Sequence, residues 1–255
     1  LVITGYGTNS HQETAHAARL AGADRADVVH FSDIVAAKVR LSEYQFLVFP
    51  GGFLDGDDLG AAQAAAQRWL HLSDAEGQPL LDSLNRFVDA GGLVLGICNG
   101  FQLLVKLGVL PALDGKRFER QVSLSHNDSA RYEDRGLAVH GVLPMPVRHG
   151  EGKLVARDAA TLQRLQDENL IALQYTHPET GEATQEHPWN PNGSPLAIAG
   201  LTDPTGHILG LMPHPEAFHH ATNHPGWTRG EVAVPGTALF ANAVRYLREN
   251  PVNHS

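Results

Sequence analysis

The 255 residues carry 28 acidic and 19 basic side chains, which give a formal net charge of −9. This balance argues against binding to a phosphate backbone, so nucleic acid is excluded as a partner. The hydrophobic fraction of 42% is typical of globular proteins, and no apolar run reaches the roughly 18 residues of a membrane span, so no membrane partner is expected. A single cysteine allows no intrachain disulfide, and the cytoplasmic compartment is the expected one.

The first half of the chain alternates short apolar runs with helical patterns. The runs predict strands, and the stretches between them predict helices that end at glycine. The predicted strands are residues 1–4, 26–31, 44–49 and 93–97, and the predicted helices are 10–21, 58–72, 80–90 and 99–108. This alternation predicts an α/β fold with a doubly wound, mainly parallel sheet. Catalytic groups are then expected at the carboxyl ends of its strands.

The second half contains shorter strand patterns and two helical ones. The strand patterns are residues 122–125, 137–142, 146–149, 171–175, 198–201 and 207–212, and the helical patterns are 159–168 and 236–249. The Asp-Pro-Thr-Gly turn at 203–206 indicates a hairpin, so the C-terminal half should add antiparallel strands to the sheet. No linker or internal repeat divides the chain, and one domain over residues 1–255 is predicted.

The only cysteine, Cys98, follows the predicted strand 93–97 and precedes a predicted helix. Gly96 and Gly100 flank it in the nucleophile-elbow pattern Gly-x-nucleophile-x-Gly, where the tight turn leaves no room for a Cβ. The helix start offers a positive dipole end and free N–H groups, which favour a thiolate and bind an oxyanion. A lone cysteine is more often a buried structural residue, but this setting favours a nucleophile.

A nucleophilic thiol needs a base and an orienting group, and the segment Met212-Pro213-His214-Pro215-Glu216 offers both. In extended backbone, residues two apart point to the same side, so His214 and Glu216 should stand side by side. The proline on each side of His214 restricts the backbone there. His214 is therefore the predicted base, and Glu216 its orienting carboxylate.

These two segments, Gly96-Ile97-Cys98-Asn99-Gly100-Phe101-Gln102 and 212–216, resemble class I (triad) glutamine amidotransferases. The Asn-Gly-Phe-Gln after the cysteine is the form of one branch, the glutaminase subunits of phosphoribosylformylglycinamidine synthases. Further matches to this branch run along most of the chain. They include Gly7-Thr8-Asn9, Pro50-Gly51-Gly52-Phe53, Gly56-Asp57, His126-Asn127-Asp128-Ser129, His149-Gly150-Glu151-Gly152 and Asn190-Pro191-Asn192-Gly193-Ser194. One departure is Ser10, where the family usually has cysteine.

The resemblance implies the flavodoxin-like fold of this family and assigns roles to the site residues. Cys98 would form a γ-glutamyl thioester with glutamine, His214 would shuttle protons, and Glu216 would stabilise the imidazolium. The oxyanion would be held by backbone N–H groups of Asn99 and of Gly52 or its neighbour Gly51.

Three further expectations concern partners and binding contacts. Gln102 matches the family position that contacts bound L-glutamine. The resemblance also implies ammonia transfer in purine biosynthesis to a synthetase that carries ATP and Mg, and leaves room for a small third subunit. No cofactor or metal is expected in this chain. We interpret His219, His220 and His224 as a solvated loop, and the segment 149–152 as structural or at a subunit interface.

Three other functions stay open at this point. The chain could be a divergent paralogue that serves another synthetase, or a non-catalytic binding member of the same fold. It could also be a stand-alone cysteine hydrolase on the same sheet, for instance a peptidase or a γ-glutamyl hydrolase. An intact cysteine, histidine and glutamate set argues against the non-catalytic alternative.

Overall fold

A computed structural model describes residues 1–139, 143–224, 226–230 and 236–252. The strands in this part of the chain are β1 (Val2–Thr4), β2 (Val28–His30), β3 (Phe46–Phe49), β4 (Leu93–Ile97), β5 (Val122–Ser125), β6 (Glu133–Val139), β7 (Leu143–His149), β8 (Lys153–Ala156), β9 (Ile171–Thr176), β10 (Ile198–Thr202) and β11 (Ile208–Leu211). The α-helices are α1 (His11–Leu20), α2 (Phe31–Val35), α3 (Gln63–His71), α4 (Leu80–Asp89), α5 (Asn99–Leu107), α6 (Ala159–Asp167) and α7 (Thr237–Glu249). No helix within these residues has the length and apolarity needed to cross a membrane.

Nine of these strands form one sheet in the order β2-β1-β3-β4-β11-β10-β9-β6-β7. The strands from β2 to β11 pair in parallel, and the remaining pairs are antiparallel. Strands β5 and β8 form a separate antiparallel pair. The predicted α/β fold, with a mainly parallel first half and antiparallel strands added by the second half, is confirmed.

Helices cover both faces of the parallel strands. On β3, the ring of Phe46 packs against Phe240 of α7, and the ring of Phe49 packs against Trp69 of α3. Residues three apart on a strand point to opposite faces, so α3 and α7 lie on opposite sides of the sheet. Both faces of β3 are therefore buried, which explains why its sequence is a continuous apolar run rather than an alternating one.

The structure departs from the predicted elements where local hydrogen bonds override propensity. The Ala-rich pattern 58–72 becomes helical only at Gln63, because the Asp57 carboxylate accepts the N–H of Ala62 at 3.2 Å and holds a turn there. The short helix α2 was not predicted, and it begins where His30 accepts the N–H of Ser32. The short strand β8 was also missed.

The predicted strand 137–142 differs at both ends. Strand β6 begins earlier, at Glu133, because polar residues there pair with β7. Residues 140–142 of the prediction lie outside the described residues. The predicted strand 146–149 is the second half of β7, which begins at Leu143.

The sheet brings four neighbouring carboxyl ends to one edge. Strands β1, β3, β4 and β11 are adjacent and parallel. The segments that leave them start at Gly5, Pro50, Cys98 and Met212. The glycine-rich turns, the cysteine and the histidine segment therefore meet where ligands bind in open α/β sheets.

Candidate active site

Cys98 stands on a strained turn between β4 and α5. Its backbone has φ 51° and ψ −103°, a conformation that residues with a side chain rarely adopt. The flanking glycines allow this turn to pack. A Cβ on Gly100 would lie 1.9 Å from the carbonyl oxygen of Phe49, and a Cβ on Gly96 would lie 2.8 Å from Gly100. The prediction that no Cβ fits at either glycine is confirmed.

Two backbone hydrogen bonds fix the elbow to its surroundings. The N–H of Cys98 donates to the carbonyl of Leu211 at 2.7 Å, which ties the nucleophile to the last residue of β11. The N–H of Gln102 donates to the carbonyl of Cys98 at 3.0 Å and starts the first turn of α5. Because His214 follows β11 by three residues, the first of these bonds links the strand ends that carry the nucleophile and the predicted base.

His214 and Glu216 form a buried pair. The Nδ1 of His214 lies 2.6 Å from Oε1 of Glu216, and the side chains are 5% and 1% exposed. A carboxylate only accepts, so Nδ1 carries the proton of this bond and Nε2 is left for the substrate. The two residues are not in extended backbone as predicted. Residues Pro215–Ala217 form a 3₁₀ turn, which proline favours at its first position.

The environment of His214 favours its charged form. Burial by itself lowers the pKa of a histidine, but here the charges of Glu216 and Cys98 outweigh it and raise the pKa of His214 to about 10. The backbone is held as well, because the N–H of His214 donates to the carbonyl of Pro146 at 2.8 Å. A positioned imidazole that readily holds a proton is suited to carry it from a thiol to a leaving group.

Cys98 and the His214–Glu216 pair line one cavity of about 380 Å³. Its wall comes from the segments after β1, β3, β4 and β11, from the end of β7 with the loop that follows it, and from Tyr132 just before β6. The residues lining it are Asn9, Ser10, Glu13, Gly52, Phe53, Asp57, Cys98, Gln102, Tyr132, Arg148, His149, Gly150, Glu151, His214, Glu216 and Ala217. The volume suits a small polar metabolite. The Sγ of Cys98 lies 3.6 Å from the carbonyl oxygen of Arg148.

The three backbone N–H groups predicted to bind an oxyanion differ in whether they already have a hydrogen-bond acceptor. The N–H of Gly51 already donates to Oγ of Ser10 at 2.9 Å. The N–H groups of Gly52 and Asn99 have no acceptor among the described residues. Gly52 also lines the cavity, and Asn99 directly follows the nucleophile at the N-terminus of α5. Of the two neighbouring glycines, Gly52 is thus the one whose N–H is available to an anion.

Gln102 lies in the cavity wall, but its side chain already has protein partners. Its Nε2 donates to the carbonyl of Glu151, and its Oε1 accepts from the side chain of Asn99 at 3.0 Å. The oxygen of the Asn99 side chain accepts the N–H of Leu54 at 2.9 Å. This chain of bonds connects three walls of the cavity: the loop after β3, helix α5 and the loop after β7.

Sequence reasoning did not foresee the part played by the segment 149–152. The ring of His149, only 2% exposed, lines the cavity together with Gly150 and Glu151. Asn127 holds the segment, since its Nδ2 donates to the carbonyl of His149 at 2.8 Å and its Oδ1 accepts the N–H of Gly152 at 3.1 Å. One signal in the sequence could have indicated this role: residues 126–129 and 149–152 both match family motifs, and the structure shows that the two segments contact each other.

Comparisons with known proteins show the family of the chain. A family model described as a CobB/CobQ-like glutamine amidotransferase domain matches residues 1–247. A protein of Methanococcus maripaludis named phosphoribosylformylglycinamidine synthase subunit PurQ is 37% identical over 276 residues, covering 98% of this chain and 98% of that protein. The chain belongs to this PurQ family of glutamine amidotransferases. The resemblance found in the motifs is confirmed, and the chain is an enzyme of the amidotransferase class.

Two further relatives place the family match in context. The structure of PurLQS from Thermotoga maritima superposes with a TM-score of 0.69 at 22% identity, covering 96% of this chain and 97% of that one, and it shows the fold. A Drosophila melanogaster protein named phosphoribosylformylglycinamidine synthase is 36% identical over 230 residues. That match covers 84% of this chain but only 16% of the Drosophila protein, so the family domain there is part of a much longer chain.

Proposed function

We propose that the chain is the glutaminase component of phosphoribosylformylglycinamidine synthase. It hydrolyses L-glutamine and passes ammonia to an ATP-dependent synthetase in de novo purine biosynthesis. The observation that carries the proposal is the placement of Cys98, on a strained elbow, in one cavity with the buried His214–Glu216 pair. The names of the family members support the choice of this synthetase over others.

The first half of the reaction forms a thioester. The thiol of Cys98 gives its proton to His214, and Sγ bonds to the side-chain amide carbon of glutamine. The N–H groups of Gly52 and Asn99 receive the negative charge that develops on the amide oxygen. His214 then donates the proton to the amide nitrogen, the C–N bond breaks, and ammonia leaves.

The second half returns the enzyme to its starting state. A water molecule gives a proton to Nε2 of His214 and attacks the thioester carbon. The C–S bond breaks, the proton passes to Cys98, and glutamate is released. Throughout, the carboxylate of Glu216 keeps the proton on Nδ1 and stabilises the imidazolium that forms in each half.

The acceptor chemistry belongs to the partner. We place ATP and Mg on the synthetase, because the chain has no Gly-x-x-x-x-Gly-Lys-Ser/Thr phosphate loop. There, ammonia would convert formylglycinamide ribonucleotide to formylglycinamidine ribonucleotide in the cytoplasm, with a small third subunit as an additional member of the complex. The long Drosophila relative, in which the family domain is one segment of the named synthase, supports a stable association with a synthetase.

The test is glutamate release and amidine formation by the purified chain combined with its synthetase. Cys98→Ala should abolish the activity supported by glutamine and leave the activity supported by free ammonium intact. If Cys98→Ala keeps glutamine-dependent activity, the nucleophile is assigned wrongly. If the unchanged chain hydrolyses glutamine through Cys98 but the synthetase forms no amidine, the chain is a paralogue that serves another acceptor.

A non-catalytic role has its own signature. A binding member of the fold would neither hydrolyse glutamine nor be alkylated at Cys98 by 6-diazo-5-oxo-L-norleucine, even with the synthetase present. A stand-alone hydrolase would turn over γ-glutamyl peptides without any partner. Alkylation of Cys98 together with synthetase-dependent glutamine turnover would contradict both alternatives.

A further inference from the structure

A second histidine in the cavity has a fixed tautomer. Nδ2 of Asn127 donates to the carbonyls of Arg131 and His149, at 3.0 and 2.8 Å, and Oδ1, which accepts the N–H of Gly152, is the acceptor of that side chain. Oδ1 lies 3.1 Å from Nδ1 of His149. Because an amide oxygen cannot donate, Nδ1 of His149 carries the proton, and Nε2 keeps its lone pair.

That lone pair has no partner in the described part of the chain. Nε2 of His149 is buried and makes no hydrogen bond. Nε2 of His214, in the same cavity, is also buried and makes no hydrogen bond. Burial and the positive charge of His214 lower the pKa of His149 to about 4, so its ring is neutral at physiological pH. A buried acceptor without a donor is costly, and such groups concentrate at sites where a ligand completes them.

The position of His149 indicates which group of the bound substrate it contacts. The carbonyl oxygen of Arg148, the preceding residue, lies 3.6 Å from the Sγ of Cys98, so this part of β7 adjoins the nucleophile. The charge of His214 is close enough to alter the protonation of His149. The reacting carboxamide of glutamine must lie against both Cys98 and His214, and the N–H groups of Gly52 and Asn99 would take its oxygen. Its nitrogen, with two N–H donors, is then the group left to meet an acceptor in the cavity wall such as His149.

We propose that Nε2 of His149 accepts a hydrogen bond from the carboxamide nitrogen of glutamine and thereby orients the leaving group. This inference rests on the proposed glutaminase function. With one N–H held by His149, the lone pair that develops on the nitrogen in the tetrahedral intermediate points to the protonated His214. His214 gives its proton to this nitrogen, the C–N bond breaks, and His149 gains and loses no proton.

Two substitutions separate the two ring nitrogens. The amide of Asn occupies nearly the position of Nδ1, so His149→Asn keeps a donor for Asn127 and removes the acceptor at Nε2. Gln reaches nearly the position of Nε2, so His149→Gln restores an acceptor there. We expect His149→Asn to lower kcat for glutamine by roughly 10- to 100-fold with KM changed less than threefold, and His149→Gln to recover part of the loss.

The experiment uses the chain with its synthetase and two substrates. Glutamine carries the carboxamide nitrogen, whereas 6-diazo-5-oxo-L-norleucine alkylates Cys98 without one and keeps the α-ammonium group. Slower glutamine turnover with unchanged alkylation by the diazo compound supports the proposal. Equal losses with both compounds would assign His149 to the α-ammonium group or to folding and overturn it, as would unchanged kinetics. An unchanged chain that does not hydrolyse glutamine would instead remove the proposed function.

Discussion

His149 and His214 line the same cavity but favour opposite protonation states. The pKa of His214 is raised to about 10 by the charges of Glu216 and Cys98, despite its burial, whereas burial and the charge of His214 lower the pKa of His149 to about 4. Once His214 has taken the thiol proton, its Nε2 can donate, whereas Nε2 of the neutral His149 can only accept. The two histidines thus offer a donor and an acceptor to a single substrate nitrogen.

The lowered pKa of His149 should make stability fall in acid. Between its folded pKa of about 4 and the unfolded value of 6.5, the unfolded chain binds more protons, so stability decreases as the pH falls through this window. From pH 7 to pH 5, this one group should cost about 2 kcal/mol of unfolding free energy. The charge of Glu133 raises the pKa of His149 and so reduces this cost, whereas the charge of His214 lowers the pKa and so increases the cost. His149→Asn should therefore show a smaller difference in thermal midpoint between the two pH values.

Control variants make the acid measurement specific. His71→Asn replaces an exposed ring on α3 and should keep the pH dependence of the unchanged chain. Each protein is compared only with itself at the two pH values, so a general loss of stability in one variant does not affect the result. The same acid loss in His149→Asn as in the unchanged chain would contradict a buried neutral His149.

The charge of Glu216 should matter more than its shape. Glu216→Gln can keep a hydrogen bond to Nδ1 of His214, but it removes the carboxylate that fixes the tautomer and stabilises the imidazolium. We expect thioester formation to slow by about 1000-fold or more, with folding preserved. Rapid-quench measurement of enzyme-bound glutamate checks this. Glu119→Gln, an exposed carboxylate paired with Arg157, should react at the unchanged rate.

Features that depend on local chemistry could be predicted from the sequence. The parallel core strands are continuous apolar runs, and the elbow is marked by Gly96 and Gly100 beside the only cysteine. His214 and Glu216 were found because they lie only two positions apart in the chain. The predicted backbone was extended and the observed one is a 3₁₀ turn, yet the two side chains still meet.

Features that depend on distant parts of the chain could not be predicted in this way. His149 acquires its tautomer from Asn127, 22 residues away, and its acceptor role from burial that no local pattern reports. The choice between Gly51 and Gly52 depends on the hydroxyl of Ser10, 41 residues from Gly51. Such contacts are set by tertiary packing, and the sequence motifs contain the residues without their pairing.

The close packing of Gly100 against Phe49 predicts a large effect of substitution on stability. A methyl group at Gly100 would overlap the carbonyl oxygen of Phe49, which belongs to the neighbouring strand β3 and cannot move away without breaking the sheet. Gly100→Ala should therefore destabilise the chain by about 3 kcal/mol or more, or prevent folding. Gly150→Ala, whose added Cβ would only touch Tyr132 at 4.0 Å, should shift the denaturation midpoint little. Equal midpoints for the two variants would contradict the observed packing.

The hydroxyl of Ser10 should support the oxyanion site through Gly51. It accepts the buried N–H of Gly51, and a Cβ on Gly51 would lie 2.7 Å from Cε1 of His214, so this residue packs directly against the catalytic ring. Ser10→Ala leaves that N–H without its acceptor, at a cost of about 1–3 kcal/mol, and loosens the backbone that presents Gly52. We expect a lower thermal midpoint and a kcat for glutamine reduced by roughly 10-fold, with a smaller change in KM.

Ser129→Ala is the control. It removes a hydroxyl that accepts the N–H of Arg131 in an exposed turn, and it should change neither the thermal midpoint nor kcat. A Ser10→Ala variant that loses stability but keeps kcat would confine Ser10 to a structural role.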